Sequence, residues 1–182
     1  MKALVIFAPQ NDFYIGGMLE HPHAEKIIQE LQQIIPQYDK VLVIKKLHPH
    51  NHPIFAANHP WRKPWQTISG SWGTMTLWPF HTIEGTFGAD LIPVLDLGAD
   101  HFIITIGMNP EKDYRNFFED ASFSNFIEKE QISELNFVGF CFTEGIYQTA
   151  QQAALLGIKS LILNSLVSSV PELEELHGQY LQ

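Results

Sequence analysis

Residues 48–55 read HPHNHPIF, with histidines at 48, 50 and 52. Imidazoles at this density suggest a metal site, because neutral histidine is a common ligand of divalent metals. A metal held there would polarise a substrate or supply hydroxide near neutral pH. Cys141, the single cysteine of the chain, is the other group with intrinsic reactivity. A lone cysteine excludes an internal disulfide framework and fits a reducing compartment, so a cytoplasmic location is expected.

These groups need a scaffold, and the apolar pattern indicates one. The runs KALVIF (2–7), KVLVIKK (40–46), HFIITIG (101–107), NFVGFCF (136–142) and KSLILN (159–164) read as strands buried on both faces. Ala24, Ile27, Ile28, Leu31, Ile34 and Ile35 recur at helical spacing until Pro36 stops them. A second helix is predicted from about 146 to 156, and an amphipathic segment over about 171–181. Strands alternating with helices predict a three-layer α/β/α fold with a central parallel sheet, in one domain over residues 1–182. Ligands of such sheets bind beyond the C-terminal strand ends, here just after Phe7, Lys46, Ile106 and Phe142. Between about 47 and 90 the periodicity fails in a Pro-, Trp-, Gly- and His-rich stretch, too long for an ordinary loop and suspect as a functional, lid-like insertion.

Composition removes several classes. The net charge is −9, with only 11 Lys and Arg and no basic stripe, which argues against nucleic-acid binding. No run is long enough to span a bilayer. The apolar start MKALVIF breaks at Pro9 with no small-residue cleavage site, so a buried first strand is expected there rather than a signal peptide.

Five stretches, in order along the chain, resemble the nicotinamidase/pyrazinamidase branch of the isochorismatase-like hydrolases. ALVIFAPQNDF is similar to that family's opening strand and Asp-x-Gln-Asn-Asp-Phe turn. HPHNHPIFAANH resembles its metal loop, and LWPFHTIEGTFGA (77–89) its Trp-Pro-x-His segment. GMNPEKDYRNFF resembles the stretch after its catalytic lysine, with one residue missing near Tyr114. VGFCFTEGIYQTA (138–150) resembles its nucleophile turn. Members hydrolyse nicotinamide to nicotinate with a cysteine nucleophile, an aspartate that takes its proton and a nearby lysine. An unactivated amide needs such a thiolate, a base and oxyanion donors. A metal, often zinc, is held by one aspartate and three histidines.

Carried over by position, the resemblance splits. The three histidine positions keep His48, His52 and His81, but Lys46 stands where the metal aspartate is expected. The triad positions hold Ala8, Ile106 and Gly145, none of which transfers a proton or forms a covalent intermediate. A lysine left without its carboxylate and thiolate would be a costly buried charge, so the three replacements make joint sense. The expectation is a non-catalytic homologue that binds a small planar ligand or a partner chain, with homo-oligomerisation open. The alternative is an active amidohydrolase using metal-activated water or other groups. Zinc or another divalent metal is implied by the histidines and opposed by Lys46, whose ammonium repels a dication.

Bland readings stand beside each site residue. Phe13 and Trp78 are expected to wall the pocket and stack on a planar ring, or to be simple core. Cys141 is expected to be packed and inert without a base, its amide near the old oxyanion position. Glu144 adjoins the vacant nucleophile position but also suits a helix N-terminus. His50 and His59 read as solvated loop residues. Trp61, Trp65, Trp72 and Trp78 either cover the pocket or form a subunit contact.

Overall fold

The structure, a computed structural model, describes residues 1–70, 73–112, 114, 116–140 and 143–168. The five apolar runs form one sheet of β1 (Lys2–Phe7), β2 (Lys40–Lys46), β5 (His101–Ile106), β6 (Glu134–Phe140) and β7 (Lys159–Ser168). Its order is β5-β2-β1-β6-β7 and every neighbouring pair is parallel. Burial explains the pattern. In β1, Ala3 to Phe7 are all fully buried, and β2 and β6 are nearly so, so an unbroken apolar run, not an alternation, is what a central parallel strand requires. The outer strands β5 and β7 keep exposed residues, including Ile103 and Leu161.

Helix α1 (Ala24–Ile34) buries Ala24, Ile27, Ile28 and Leu31 along the predicted stripe, and Pro36 falls in the short 3-10 turn that ends it. Helix α3 (Thr143–Leu155) begins three residues earlier than its apolar pattern indicated. Helix α2 (Ala121–Lys129) was not expected. Asp120 caps it by accepting from Ser122 N–H, and Phe123, Phe126 and Ile127 bury one face. The stretch from 47 to 90 is not wholly irregular: β3 (Thr67–Gly70) and β4 (Gly73–Thr76) pair antiparallel in a small separate sheet. The amphipathic segment predicted at 171–181 lies outside the described residues.

Register aligns the functional edge. Phe7 faces Ile44 on one side and Gly139 on the other, while Lys46 faces Ile106. The strands therefore deliver the residues that follow them to a common rim. Gly139 is required at its place: its φ is +127°, and an added Cβ would run into the Phe7 backbone. Gly139→Ala is expected to destabilise the protein by about 3 kcal/mol or more. A urea-denaturation midpoint unchanged from the wild type would contradict this packing.

Candidate functional site

The site is assembled by side chains that bond to backbone far away in sequence. Gln10, fully buried after β1, accepts from Lys46 N–H (2.7 Å) and donates to the Lys46 carbonyl (2.7 Å) and to the Ala89 carbonyl (2.9 Å). Its amide thus fixes the end of β2 as a neighbouring strand would. Asp12 Oδ2 accepts from Thr82 N–H at 2.6 Å, and the Thr82 hydroxyl meets His48 Nδ1 at 3.0 Å. The main chain repeats the link, because Thr82 accepts from His48 N–H and His48 from Glu84 N–H. Loops about 35 residues apart are thereby locked at the rim.

This locking brings the three predicted histidines together. The His48 ring centroid lies 4.9 Å from that of His52 and 5.0 Å from that of His81, and all three rings are buried. Phe55 and Trp78 pack around them. Burial first, and then the nearby Lys46 ammonium, depress their basicity: His52 falls to about 4, His81 to about 3, and His48 well below the ordinary imidazole value. All three are neutral at pH 7. Lys46 is itself buried, with Nζ 5.5 Å from the centre of the Trp78 ring.

Neutral imidazoles suit zinc, but tautomer and charge decide the fit. His81 Nδ1 donates to the Pro79 carbonyl (2.9 Å), which leaves the Nε2 lone pair buried without a hydrogen-bond partner, as a metal ligand needs. His52 is the reverse. Its Nδ1 accepts from Ile54 N–H (3.2 Å), so the ring proton sits on Nε2. Lys46 adds a positive charge felt by all three rings. Among the described residues, no three His, Cys, Asp or Glu side chains stand where they could hold a metal ion. As arranged, the cluster does not suit a dication.

Beside the histidines lies a cavity enclosing about 50 Å³, lined by Phe7, Lys46, His48, His52, Ile54, Trp78, Ile106, Gly107, Lys112 and Tyr114. Trp78 and Ile106 are among its walls. Phe13 does not line it. It is fully buried and meets His81 and His21 edge-on at 5.9 and 5.7 Å, so its contribution is to hold the rings. Ala8 and Ile106 sit in the same buried apolar cluster, and Gly145 is buried in the first turn of α3. Cys141 lies outside the described residues, as does the side chain of Glu144. The tryptophans divide: Trp65 packs on Trp78 at 5.1 Å, Trp61 is 99% exposed, and Trp72 is outside the described residues. His50 is exposed against Phe80, as expected, while His59 is half-buried and tied to the Pro53 carbonyl. Sequence reasoning missed Gln10, Thr82, Lys112 and Tyr114. For Gln10 and Tyr114 the resemblance held a signal, the motif-like turn after β1 and the residue missing near Tyr114.

The fold and the residues at its rim define an isochorismatase-type α/β hydrolase scaffold. The isochorismatase domain model matches residues 2–178, and the chain belongs to that family. A nicotinamidase of Acinetobacter baylyi is 31% identical over 167 residues, spanning 88% of this chain and 78% of that protein. A solved Acinetobacter baumanii nicotinamidase/pyrazinamidase superposes with a TM-score of 0.86 at 28% identity, over 98% of this chain and 90% of the other. A Pyrococcus horikoshii pyrazinamidase solved in complex with zinc shares the fold, with a TM-score of 0.74 at 24% identity over 97% and 94% of the two chains. No helix among the described residues is long and apolar enough to cross a membrane.

The buried imidazoles make stability pH-dependent. His21, packed edge-on between Phe13 and Phe140 with Nδ1 2.9 Å from Ser168 Oγ, is lowered by burial to about 4. Above pH 6.5 it is neutral in both the folded and unfolded chain. Below that the unfolded chain takes up a proton that the folded chain refuses until about pH 4, so stability falls as pH falls through this window. His21 alone accounts for roughly 3 kcal/mol, and His52 and His81 act in the same direction. Denaturation midpoints between pH 7 and 4 should drop steeply, and His21→Leu should flatten part of the slope. A flat profile would contradict the burial of these rings in neutral form.

Proposed function

We propose that this chain is a nicotinamidase-type family member whose amidase groups have been replaced, and that it binds a small planar ligand in the inherited cavity without hydrolysing it. The observation that carries this reading is the apolar character of the rim: Ala8 and Ile106 are 0% and 3% exposed within the core cluster, and Gly145 offers no side chain. None can generate a thiolate, accept its proton or stabilise the pair. Losing nucleophile and base together removes orders of magnitude in rate. Trp78 and Ile106 supply flat apolar walls for a ring. A single domain, a cytoplasmic location and self-association through the outward-facing surface complete the proposal. The buried lone pair of His81 Nε2 favours a second reading, an active amidohydrolase of the nicotinamidase type working through other groups. The absence of a carboxylate from the described histidine cluster, and the presence of Lys46, weigh against it.

Ammonia release from nicotinamide and pyrazinamide, with added zinc, manganese or iron, separates the two. The expected result is no turnover above a metal-only blank. Turnover well above it would overturn the non-catalytic reading, and stoichiometric metal in tag-free protein would show that Lys46 tolerates a dication. The combined variant Ala8→Asp, Lys46→Asp, Ile106→Lys and Gly145→Cys is expected to gain measurable amidase activity. A folded but inert variant would mean that the pocket differs in more than these four positions.

A further inference from the structure

The two edges of the sheet are not alike. β7 begins with a charged residue, Lys159, and its pairing with β6 is broken by a register shift between Phe137 and Gly139. Charges and bulges of this kind keep an edge from pairing with another chain. β5, at the opposite edge, reads HFIITI, with no Lys, Arg, Asp, Glu or Pro and no register shift against β2. The Ile106 carbonyl accepts from Leu47 N–H, so the even positions of β5 turn their main-chain groups toward β2. The odd positions, His101, Ile103 and Thr105, turn theirs outward. Among the described residues nothing bonds to the outward N–H and C=O of Ile103 and Thr105. The side chains follow the same division. His101, Ile103 and Thr105 are exposed, Ile103 to 47%, while Ile104 and Ile106 are buried.

We propose that β5 is a self-association edge, pairing antiparallel with β5 of a second copy about a two-fold axis at Ile103. This names the surface for the self-association proposed above, rests on that part of the reading, and is independent of what the cavity binds. In this register Ile103 faces Ile103 of the partner subunit, and His101 faces Thr105 of the partner subunit on either side. All three outward positions then form hydrogen-bonded pairs, about six main-chain bonds in all. The strand is its own complement, as a two-fold interface requires. Charge favours a second copy in this orientation. The chain is −9 overall, and the exposed Asp96 and Asp100 lie just before β5. Antiparallel pairing sends the aspartates of the two copies to opposite ends of the contact, whereas a parallel pair would bring like charges together. His101 Nδ1 donates to the Gly98 carbonyl at 2.7 Å, which leaves Nε2 to accept from the hydroxyl of Thr105 of the partner subunit. Ile106, the last residue of β5, lines the cavity, so the pairing braces the strand that carries one cavity wall.

Sedimentation equilibrium of the full chain tests the assignment. The wild type is expected to be dimeric at about 10 µM. Ile103→Lys and Ile103→Glu each set like charges opposite one another and are expected to weaken association at least about tenfold. An equimolar mixture of the two variants is expected to recover the dimer, because residue 103 meets its own counterpart in this register. The wild type carries a second measurement that needs no substitution: hydrogen exchange at the Ile103 and Thr105 amides should slow as protein concentration rises. A wild type that stays monomeric at about 0.1 mM would overturn the second copy as occupant and self-association with it, leaving the planar-ligand reading untouched. A dimer unaffected by either variant, with exchange at these amides independent of concentration, would overturn the edge and leave self-association through another surface. Variants that dissociate singly and do not recover when mixed would overturn the pairing centred on Ile103.

Discussion

The buried amide of Gln10 is the interaction on which the site depends. One side chain satisfies both main-chain groups of Lys46 and the carbonyl of Ala89, joining the end of β1, the end of β2 and the turn at 87–89. Each of these groups, if left unbonded in the core, would cost about 1–3 kcal/mol. The clamp determines where Lys46 emerges, and Lys46 adds to burial in depressing the basicity of the three histidines. Asp12, two residues on, anchors Thr82 and through it the ring of His48. A short turn after the first strand thus controls the geometry of a cavity built mainly from other parts of the chain.

The strands were legible because burial on both faces leaves unbroken apolar runs, and α1 because its stripe is long and ends at Pro36. What escaped was of two kinds. Helix α2 is short, and its three apolar positions 123, 126 and 127 make too brief a stripe to mark it, although Asp120 stands as a cap at its start. The Gln10–Lys46 and Asp12–Thr82 bonds connect residues 36 and 70 positions apart, and local pattern carries no trace of such pairing. For the site, His48, His52 and His81 lie together and Trp78 walls the cavity, while Lys112 and Tyr114 come from a stretch that no apolar periodicity marks. Phe13 illustrates a subtler limit: an aromatic in a recognisable motif can support the pocket from behind without facing it.

Electrostatics accounts for the character of the rim. In a cluster where neutral imidazoles, aromatic rings and one ammonium are already buried, each further charge would need a partner of its own. Alanine, isoleucine and glycine at 8, 106 and 145 ask for none. The rim is held in register by the side-chain hydrogen bonds of Gln10 and Asp12, which none of these three residues makes. The side chains that hold the rim together are thus not those at positions 8, 106 and 145.

Ala8 shows the direction in which that independence runs. Its φ of +48° is left-handed, a conformation that alanine adopts reluctantly and that aspartate or asparagine tolerates better. The turn is held by the Ala8 N–H bond to the Ile44 carbonyl and by the Gln10 N–H bond to the Ala8 carbonyl, so its shape belongs to the main chain and not to the side chain that occupies it. The backbone here holds a conformation that its present residue does not favour. A short polar side chain such as asparagine would occupy this turn with less conformational strain than alanine does, so the position is more permissive toward such a residue than its burial alone suggests.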